Sequence, residues 1–448
     1  MSSPRKYFGT DGVRGPYGSA TMNEEFAWRL GAAAARWLQG KGVASGRILI
    51  GRDTRVSGPS LARALADGLA SVGFSPVSLG VLPTPAVSRA VRIQTAVLGV
   101  VVTASHNPAG DNGIKIFGPN GIKLTDEEEA SIEIFIPENR TNGGNSRLEP
   151  ADGVADYLAA MNRILPTTLA GWKIVLDTAN GATVHTSSRA LKDYRADVFA
   201  IGSEFDGLNI NRGVGSEHPE KMCEAVKLHG AKIGIAHDGD GDRCILCDER
   251  GEVLDGDEIL TILALHALQT SALSNKTLVV TVQSNLGVEA AVTAAGGRVV
   301  RTPVGDRYVI ERMLSEGASL GGESSGHVIC SDVSPTGDGL VAALKVIEVM
   351  LATGRPLSEL RRGLVKFPQH STALKVREKK PLNTLPALSS VIKAIEQELG
   401  NSGRVLVRYS GTEPKLRLLV EGPTEATVHS AMDRLIQAVR SELEVIAS

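Results

Sequence analysis

A serine on a short polar loop and three closely spaced aspartates are the residues through which this chain could do chemistry. Ser105 stands in Thr103-Ala104-Ser105-His106-Asn107-Pro108, just beyond an apolar run. Asp238, Asp240 and Asp242 alternate with glycine in Asp238-Gly239-Asp240-Gly241-Asp242-Arg243. Three carboxylates this close repel one another unless a cation lies among them. Oxygen-only ligands suit Mg²⁺, which completes its shell with water or phosphate oxygens. A free serine is a poor nucleophile, so the aspartates supply the context that Ser105 lacks. Together they imply phosphoryl transfer through a phosphoserine. Pro108 disfavours a helical Asn107, and the loop is expected to stay extended and present the serine.

Other readings of the aspartate loop fit less well. Asp238, Asp240, Asp242 and Glu249 match acidic positions of an EF-hand loop, but Arg243 occupies the position that requires glycine. The flanking runs also read as strands rather than helices. Cys244 and Cys247 lie on opposite faces of an extended run and are expected to pack in the core. No Gly-x-x-x-x-Gly-Lys-Ser/Thr loop is present, which argues against nucleotide hydrolysis.

Further polar residues stand in four places. Glu323, Ser325 and His327 alternate in a glycine-flanked loop, where an extended backbone would aim all three the same way. A carboxylate with two donors or acceptors suits sugar hydroxyls or an amino group. Arg408-Tyr409-Ser410-Gly411-Thr412-Glu413-Pro414, with Arg417, offers two guanidinium groups and a glycine turn fit for an anion. Arg14, in the glycine-rich Tyr7 to Gly15, and Lys115 either neutralise phosphoryl charge or are surface cations.

The elements that must position these loops form a weak repeat. Ile48 to Gly51, Ile174 to Asp177 and Leu278 to Thr281 are short aliphatic runs, each entering a small-polar loop and then a helical stretch. Pro76 to Leu79, Asp197 to Ile201 and Arg298 to Arg301 follow as second runs. Third runs lead into Ser105, Asp238 and Glu323. Such alternation implies mixed or parallel sheets covered on both faces, with ligands at strand carboxyl ends. Pro137 to Pro150 reads as the loop closing the first unit. From about His370 the pattern changes to Arg404–Tyr409, a tight loop, Leu416–Val420 and a terminal helix from Glu425, a small α+β domain.

Composition is that of an ordinary globular protein: 448 residues, 42% hydrophobic, 22% charged and a formal net charge of −2. No electrostatic footprint for nucleic acid or an anionic membrane is evident. Four unevenly spaced cysteines, the absence of a signal-like N-terminal run and the lack of a long apolar stretch make a cytoplasmic protein the expectation.

With all these motifs in order along essentially its whole length, the chain resembles the α-D-phosphohexomutases, and within them the branch acting on glucosamine phosphates. Tyr7 to Gly15, Val304-Gly305-Asp306-Arg307-Tyr308-Val309 and Ser410 to Pro414 carry the likeness to that branch. Ser324, where glutamine is usual, and His237, where an aromatic is usual, depart from it. The resemblance implies a phosphoserine at Ser105, which also faces the metal, and one Mg²⁺ per chain at Asp238, Asp240 and Asp242. It implies sugar contacts from Glu323 and Ser325, with His327 and Arg14 beside them. It places the non-reacting phosphate on Arg408, Ser410, Gly411, Thr412 and Arg417, and catalytic roles on His106, Lys115 and Arg243. Lys115 and His106 are the candidates for general acid/base.

The implied activity is an isomerase reaction, glucosamine 6-phosphate to glucosamine 1-phosphate through a 1,6-bisphosphate, feeding UDP-N-acetylglucosamine synthesis. Mannose or glucose phosphates are the alternative substrates. A non-catalytic sugar-phosphate sensor would have no need of the nucleophile. The implied fold is α/β: three similar mixed-sheet domains and a smaller α+β C-terminal domain around a central cleft. The expected division is 1–150, 151–255, 256–369 and 370–448. The partner is a small sugar phosphate, with neither nucleic acid nor membrane, and a homodimer is left open.

Overall fold

The computed structural model describes residues 5–140, 148–410 and 414–446. Its first sheet holds β1 (Val13–Pro16), β2 (Arg47–Arg52), β3 (Ser75–Val81), β4 (Leu98–Val102), β5 (Asp111–Phe117) and β6 (Glu149–Pro150), ordered β1-β5-β4-β2-β3-β6. The second holds β7 (Lys173–Asp177), β8 (Asp197–Ile201), β9 (Ile233–His237), β10 (Cys244–Asp248) and β11 (Val253–Leu254), ordered β11-β10-β9-β7-β8. The third holds β12 (Thr277–Thr281), β13 (Arg298–Thr302), β14 (Leu320–Gly322) and β15 (Val328–Cys330), ordered β13-β12-β14-β15.

One pattern repeats in all three. A central strand (β2, β7, β12) pairs in parallel with the second and third runs of its unit. The third then turns back antiparallel into a fourth strand: β4 to β5, β9 to β10, β14 to β15. The sequence reading found three runs per unit and did not pair them with the fourth. That hairpin matters most, because each chemistry-bearing loop lies within it.

The strands form where β-branched and aliphatic residues run unbroken, since these central strands are covered on both faces; β4, β9 and β12 are buried throughout. Several helices start at side-chain caps. Asn23 accepts from the Phe26 N–H to open the helix Glu24–Gly40, and reciprocal capping boxes at Thr125/Glu128 and Asp255/Glu258 open Asp126–Ile134 and Gly256–Gln269. Glu24–Gly40 and Gly58–Ala70 pack with their backbones in close approach. A Cβ on Gly68 would stand 2.0 Å from the Trp28 carbonyl oxygen, so only glycine fits there. Their apolar stripes, with Phe26, Trp28, Leu30, Leu61 and Leu65, form the first core against Ile48, Ile50, Val100 and Val102.

The last sheet is antiparallel: β16 (Gln369–Lys375), β17 (Arg404–Tyr409) and β18 (Lys415–Glu421), ordered β16-β18-β17. The helices Pro386–Leu399 and Glu425–Glu442 supply its core, including Leu388, Ile395, Leu435 and Val439. β16 and the first of these helices extend the α+β reading, which had located only β17, β18 and the terminal helix.

The chain forms two compact units, Met1–Gln283 with Ala295–Gly363, and Ser284–Ala294 with Leu364–Ser448. Within the second, the Asn285 amide donates to the Phe367 carbonyl (3.0 Å) and its Oδ1 accepts from the Phe367 N–H (2.9 Å). Arg404 donates to the Ser284 carbonyl at 2.7 Å. Among the described residues, no helix is long and apolar enough to cross a membrane.

Candidate active site

Ser105 sits where β4 ends and the chain turns towards β5. The loop is not extended: the Asn107 N–H reaches the Ala104 carbonyl (3.0 Å), the Asp111 N–H reaches that of Pro108 (3.0 Å), and Ser105 has φ +50°. Pro108 does keep Asn107 out of a helix, but local turns satisfy the backbone instead. Nor is the serine displayed to solvent, being 1% exposed. Its Oγ donates to Asp238 Oδ2, and His106 Nδ1 lies 3.3 Å away.

The aspartate loop joins β9 to β10 and meets the serine loop directly. A Cβ on Gly239 would stand 2.4 Å from the Ser105 carbonyl oxygen, so the glycine between the aspartates is what allows this approach. Asp238, Asp240 and Asp242 are all buried, and one ligand atom from each lies within 4.8 Å of the others. Asp238 Oδ1 accepts from the N–H groups of Gly241 (3.1 Å) and Arg243 (3.2 Å). Asp240 Oδ2 accepts from Thr84 Oγ1 (2.6 Å) and Lys115 Nζ (2.8 Å). Asp240 Oδ1 and Asp242 Oδ1 are buried without a hydrogen-bond partner. Two orphaned carboxylate oxygens in an all-oxygen cluster fit a hard divalent cation.

Charge around the cluster is balanced by buried cations. Lys115, on β5, reaches Asp240 at 2.8 Å, Asp11 at 3.2 Å and Asp242 at 3.3 Å. Burial works against its ammonium, but Asp11, Asp240 and Asp242 outweigh that and push it above the ordinary amine range. Burial would raise the Asp11 carboxyl, yet Lys115, Lys123 and Arg14 hold it well below the usual range. Lys123 bridges Asp11 and Asp306, and His327 stands 3.8 Å from Asp306 and 3.6 Å from Asp242. A closed ring of ionisable side chains thus runs through Asp11, Lys115, Asp242, His327, Asp306 and Lys123, all buried except the partly exposed Asp11. His106 differs: burial, then Arg243 and Arg14, lower its imidazole to about 4, leaving it neutral near pH 7.

The third loop turns between β14 and β15, with the Gly326 N–H on the Glu323 carbonyl at 3.1 Å. Because it is a hairpin turn, Glu323, Ser325 and His327 do not point one way as an extended loop would. His327 turns inward to the carboxylates, Glu323 Oε1 accepts from the Gly305 N–H at 3.0 Å, and Ser325 Oγ is buried without a partner. Arg243 pairs with Glu217 at 3.5 Å, and Arg14 pairs with Asp11 and donates to the Ala104 carbonyl at 3.3 Å. The first unit therefore gathers Ser105, His106, Arg14, Lys115, the three aspartates, Arg243 and the third loop.

In the second unit, Arg408 and Arg417 are directly opposed across β17 and β18, which puts their side chains on one face. Ser410 closes the strand end, its N–H on the Lys415 carbonyl at 2.8 Å. Gly411 and Thr412 lie outside the described residues.

Asp11, Asp53, Arg55, Thr84, Lys123, Asn211 and Asp306 complete the site and were not singled out from sequence. Asp11 and Asp306 lie within segments that carried the family likeness, and Asp53 and Arg55 within a loop flagged as small and polar. Nothing local marks Lys123 or Asn211.

Comparison with known proteins accords with this geometry. Domain models I, II, III and IV of the phosphoglucomutase/phosphomannomutase family match residues 5–142, 155–251, 255–367 and 372–438. Phosphoglucosamine mutase of Pelobacter propionicus is 44% identical over 450 residues, covering 98% of this chain and 99% of its own. A putative phosphomannomutase structure from Thermus thermophilus superposes with TM-score 0.81 at 26% identity, covering 98% of this chain and 100% of that one. A variant of Aspergillus fumigatus N-acetylphosphoglucosamine mutase, solved in complex with glucose 1,6-bisphosphate, shares the fold with TM-score 0.64 at 18% identity over 97% and 95% of the two chains. All four family domains are thus present in order, and the chain belongs to the phosphoglucomutase/phosphomannomutase family of phosphohexomutases.

Proposed function

We propose that the chain interconverts glucosamine 6-phosphate and glucosamine 1-phosphate, an isomerase reaction that supplies UDP-N-acetylglucosamine synthesis. The observation that carries the mechanism is the contact of Ser105 Oγ with the Asp238 carboxylate inside a buried acidic triad. Full-length likeness to phosphoglucosamine mutases supports the substrate. In this reading the four family domains divide the chain at 1–150, 151–255, 256–369 and 370–448.

Ser105 carries a phosphoryl group. As the free hydroxyl oxygen of the sugar phosphate forms its bond to phosphorus, the bond from phosphorus to Ser105 Oγ breaks. The hydroxyl proton ends on Ser105 Oγ, and His106 Nδ1, 3.3 Å from that oxygen and neutral, is placed to carry it. Lys115 keeps its proton and offsets charge together with Arg243. The resulting 1,6-bisphosphate reorients, and its other phosphoryl group returns to Ser105 as the proton passes back to the sugar. Glu323 and Ser325 contact the sugar, His327 backs them from its place against Asp242 and Asp306, and Arg14 meets the phosphoryl group being transferred. Arg408, Ser410 and Arg417, with Gly411 and Thr412, hold the phosphate that is not reacting. Asp238, Asp240 and Asp242 would hold Mg²⁺ beside Ser105, and bound there it would neutralise charge on the transferring group. The four cysteines are all free and buried, which suits a reducing cytoplasm.

Following ³¹P NMR with Mg²⁺, a trace of sugar 1,6-bisphosphate and glucosamine, glucose or mannose 6-phosphate tests chemistry and substrate together. Fastest conversion of the glucosamine compound, lost in Ser105→Ala while sugar-phosphate binding remains measurable, is expected. Faster conversion of another sugar would move the substrate, and full activity in Ser105→Ala would overturn the mechanism.

A further inference from the structure

Ser105 holds a left-handed backbone, φ +50°, that non-glycine residues adopt only when their surroundings impose it. Two side chains grip the same stretch of loop. Arg55, 0% exposed, spends all five guanidinium donors within hydrogen-bond range. Its Nε donates to Asp53 Oδ2 at 2.9 Å, while Nη2 reaches the carbonyls of Ser105 (3.1 Å) and Asn107 (2.8 Å). Nη1 reaches the carbonyls of Pro108 and, at 2.9 Å, Asp111. From the segment between β8 and β9 the Asn211 amide donates to the same Ser105 (2.8 Å) and Asn107 (3.1 Å) carbonyls. Asp53 adds a third tie, accepting at 2.7 Å from Thr103 Oγ1, which in turn accepts from the Ser105 N–H at 2.9 Å. Carbonyl and N–H of the serine are therefore both fixed by side chains, and none of these residues touches the reacting oxygen.

We infer that Arg55 and Asn211 are positioning residues for the phosphoryl-transfer step: a two-residue clamp that holds Ser105 in its left-handed conformation and so aims Oγ at the acidic triad. The inference rests on Ser105 being the phosphorylated nucleophile. A buried charge balanced against Asp53 is a large investment for a surface-loop tether, and four carbonyls of one short loop are its targets. A lysine here would bring a point charge with three donors and could not reproduce the planar fork. Misplacing a reacting group by about 1 Å can cost on the order of a hundredfold in rate. Substrate, which meets other residues, would bind as before.

The test uses the full chain with Arg55→Lys, Asn211→Gly and Ser105→Ala. Wild type, Arg55→Lys and Asn211→Gly are primed with sugar 1,6-bisphosphate and checked for Ser105 phosphorylation by intact mass, and all are assayed on glucosamine 6-phosphate beside a thermal midpoint. Asn211 itself has φ +59°, so Asn211→Gly keeps its backbone while removing the amide, and it guards against a misfolded Arg55→Lys. Expected is a fall in kcat of roughly ten- to a hundredfold with KM within about twofold, in Asn211→Gly at an unchanged midpoint. Turnover within twofold of wild type in both phosphorylated variants would overturn the clamp, as would losses that follow only the folded fraction. Ser105→Ala separates the two ideas: inactive, it leaves the clamp as what is being measured; active, it removes the nucleophile reading and the clamp with it.

Discussion

Lys115 touches the buried Asp240 and Asp242 and the partly exposed Asp11, each within 3.3 Å, so its charge is what lets these carboxylates gather. Breaking a buried pair from one side leaves the other charge uncompensated and costs about 3–5 kcal/mol. Lys115→Met is therefore expected to lose about that much stability in metal-free protein, measured by denaturant unfolding. Added Mg²⁺ should restore part of the loss by giving Asp240 and Asp242 another cation, and no destabilisation would count against the charge ring. At this scale the sequence was readable where chemistry is local. The triad lends Ser105 the context that a lone serine lacks, and it announces itself by spacing, because alternating aspartates have few structural uses. Arg55, Lys123 and Asn211 do not, because each acts on groups far away in sequence, and a lone arginine or asparagine looks the same in any surface loop. The orientation of His327 was missed for a related reason: a turn at Gly326, rather than strand alternation, decides where it points.

Among the elements, the helices Glu24–Gly40 and Gly58–Ala70 depend on a backbone approach that no side chain permits at Gly68. Gly68→Ala should cost about 1–3 kcal/mol by overpacking, seen as a lower unfolding midpoint with activity per folded molecule little changed. The helix Gly339–Thr353 offers a pH test. Its cap, Asp338, accepts from the Leu340 and Val341 N–H groups, each at 3.1 Å, and from Tyr157 Oη at 2.9 Å. Burial nevertheless pushes its carboxyl up to about 6. A carboxyl raised on folding binds its proton more tightly in the native state, so its contribution is present at low pH and lost as pH rises from about 4 to about 6. Wild type should therefore gain stability relative to Asp338→Asn as pH falls through that window, and a constant difference between their midpoints would sink the idea. Strand runs were legible because β-branched stretches buried on both faces are continuous. In the first unit the fourth strand was missed because β5 carries polar Asp111, Asn112 and Lys115 for the site's sake; in the second, the run after the aspartate loop was read as a strand but not paired back to β9.

For the whole molecule, metal binding should register as stability. Anything that binds the native state alone raises the unfolding midpoint, so Mg²⁺ should raise it in wild type and fail to do so in Asp240→Asn, while chelation should abolish turnover reversibly. The threefold repetition was visible from sequence because each unit reuses one run–loop–helix pattern. The composition of the second unit was not, because it draws on a segment that lies in sequence between β12 and β13. The helix Leu286–Ala294 is hydrogen-bonded through Asn285 to the backbone at Phe367, and the preceding Ser284 carbonyl receives Arg404. The chain accordingly passes between its two units three times, not once. Anyone exchanging C-terminal segments between relatives to transplant specificity should therefore move two pieces: a graft cut at 363/364 would leave residues 284–294 from the host against a foreign partner, whereas a graft carrying both would keep its own seam.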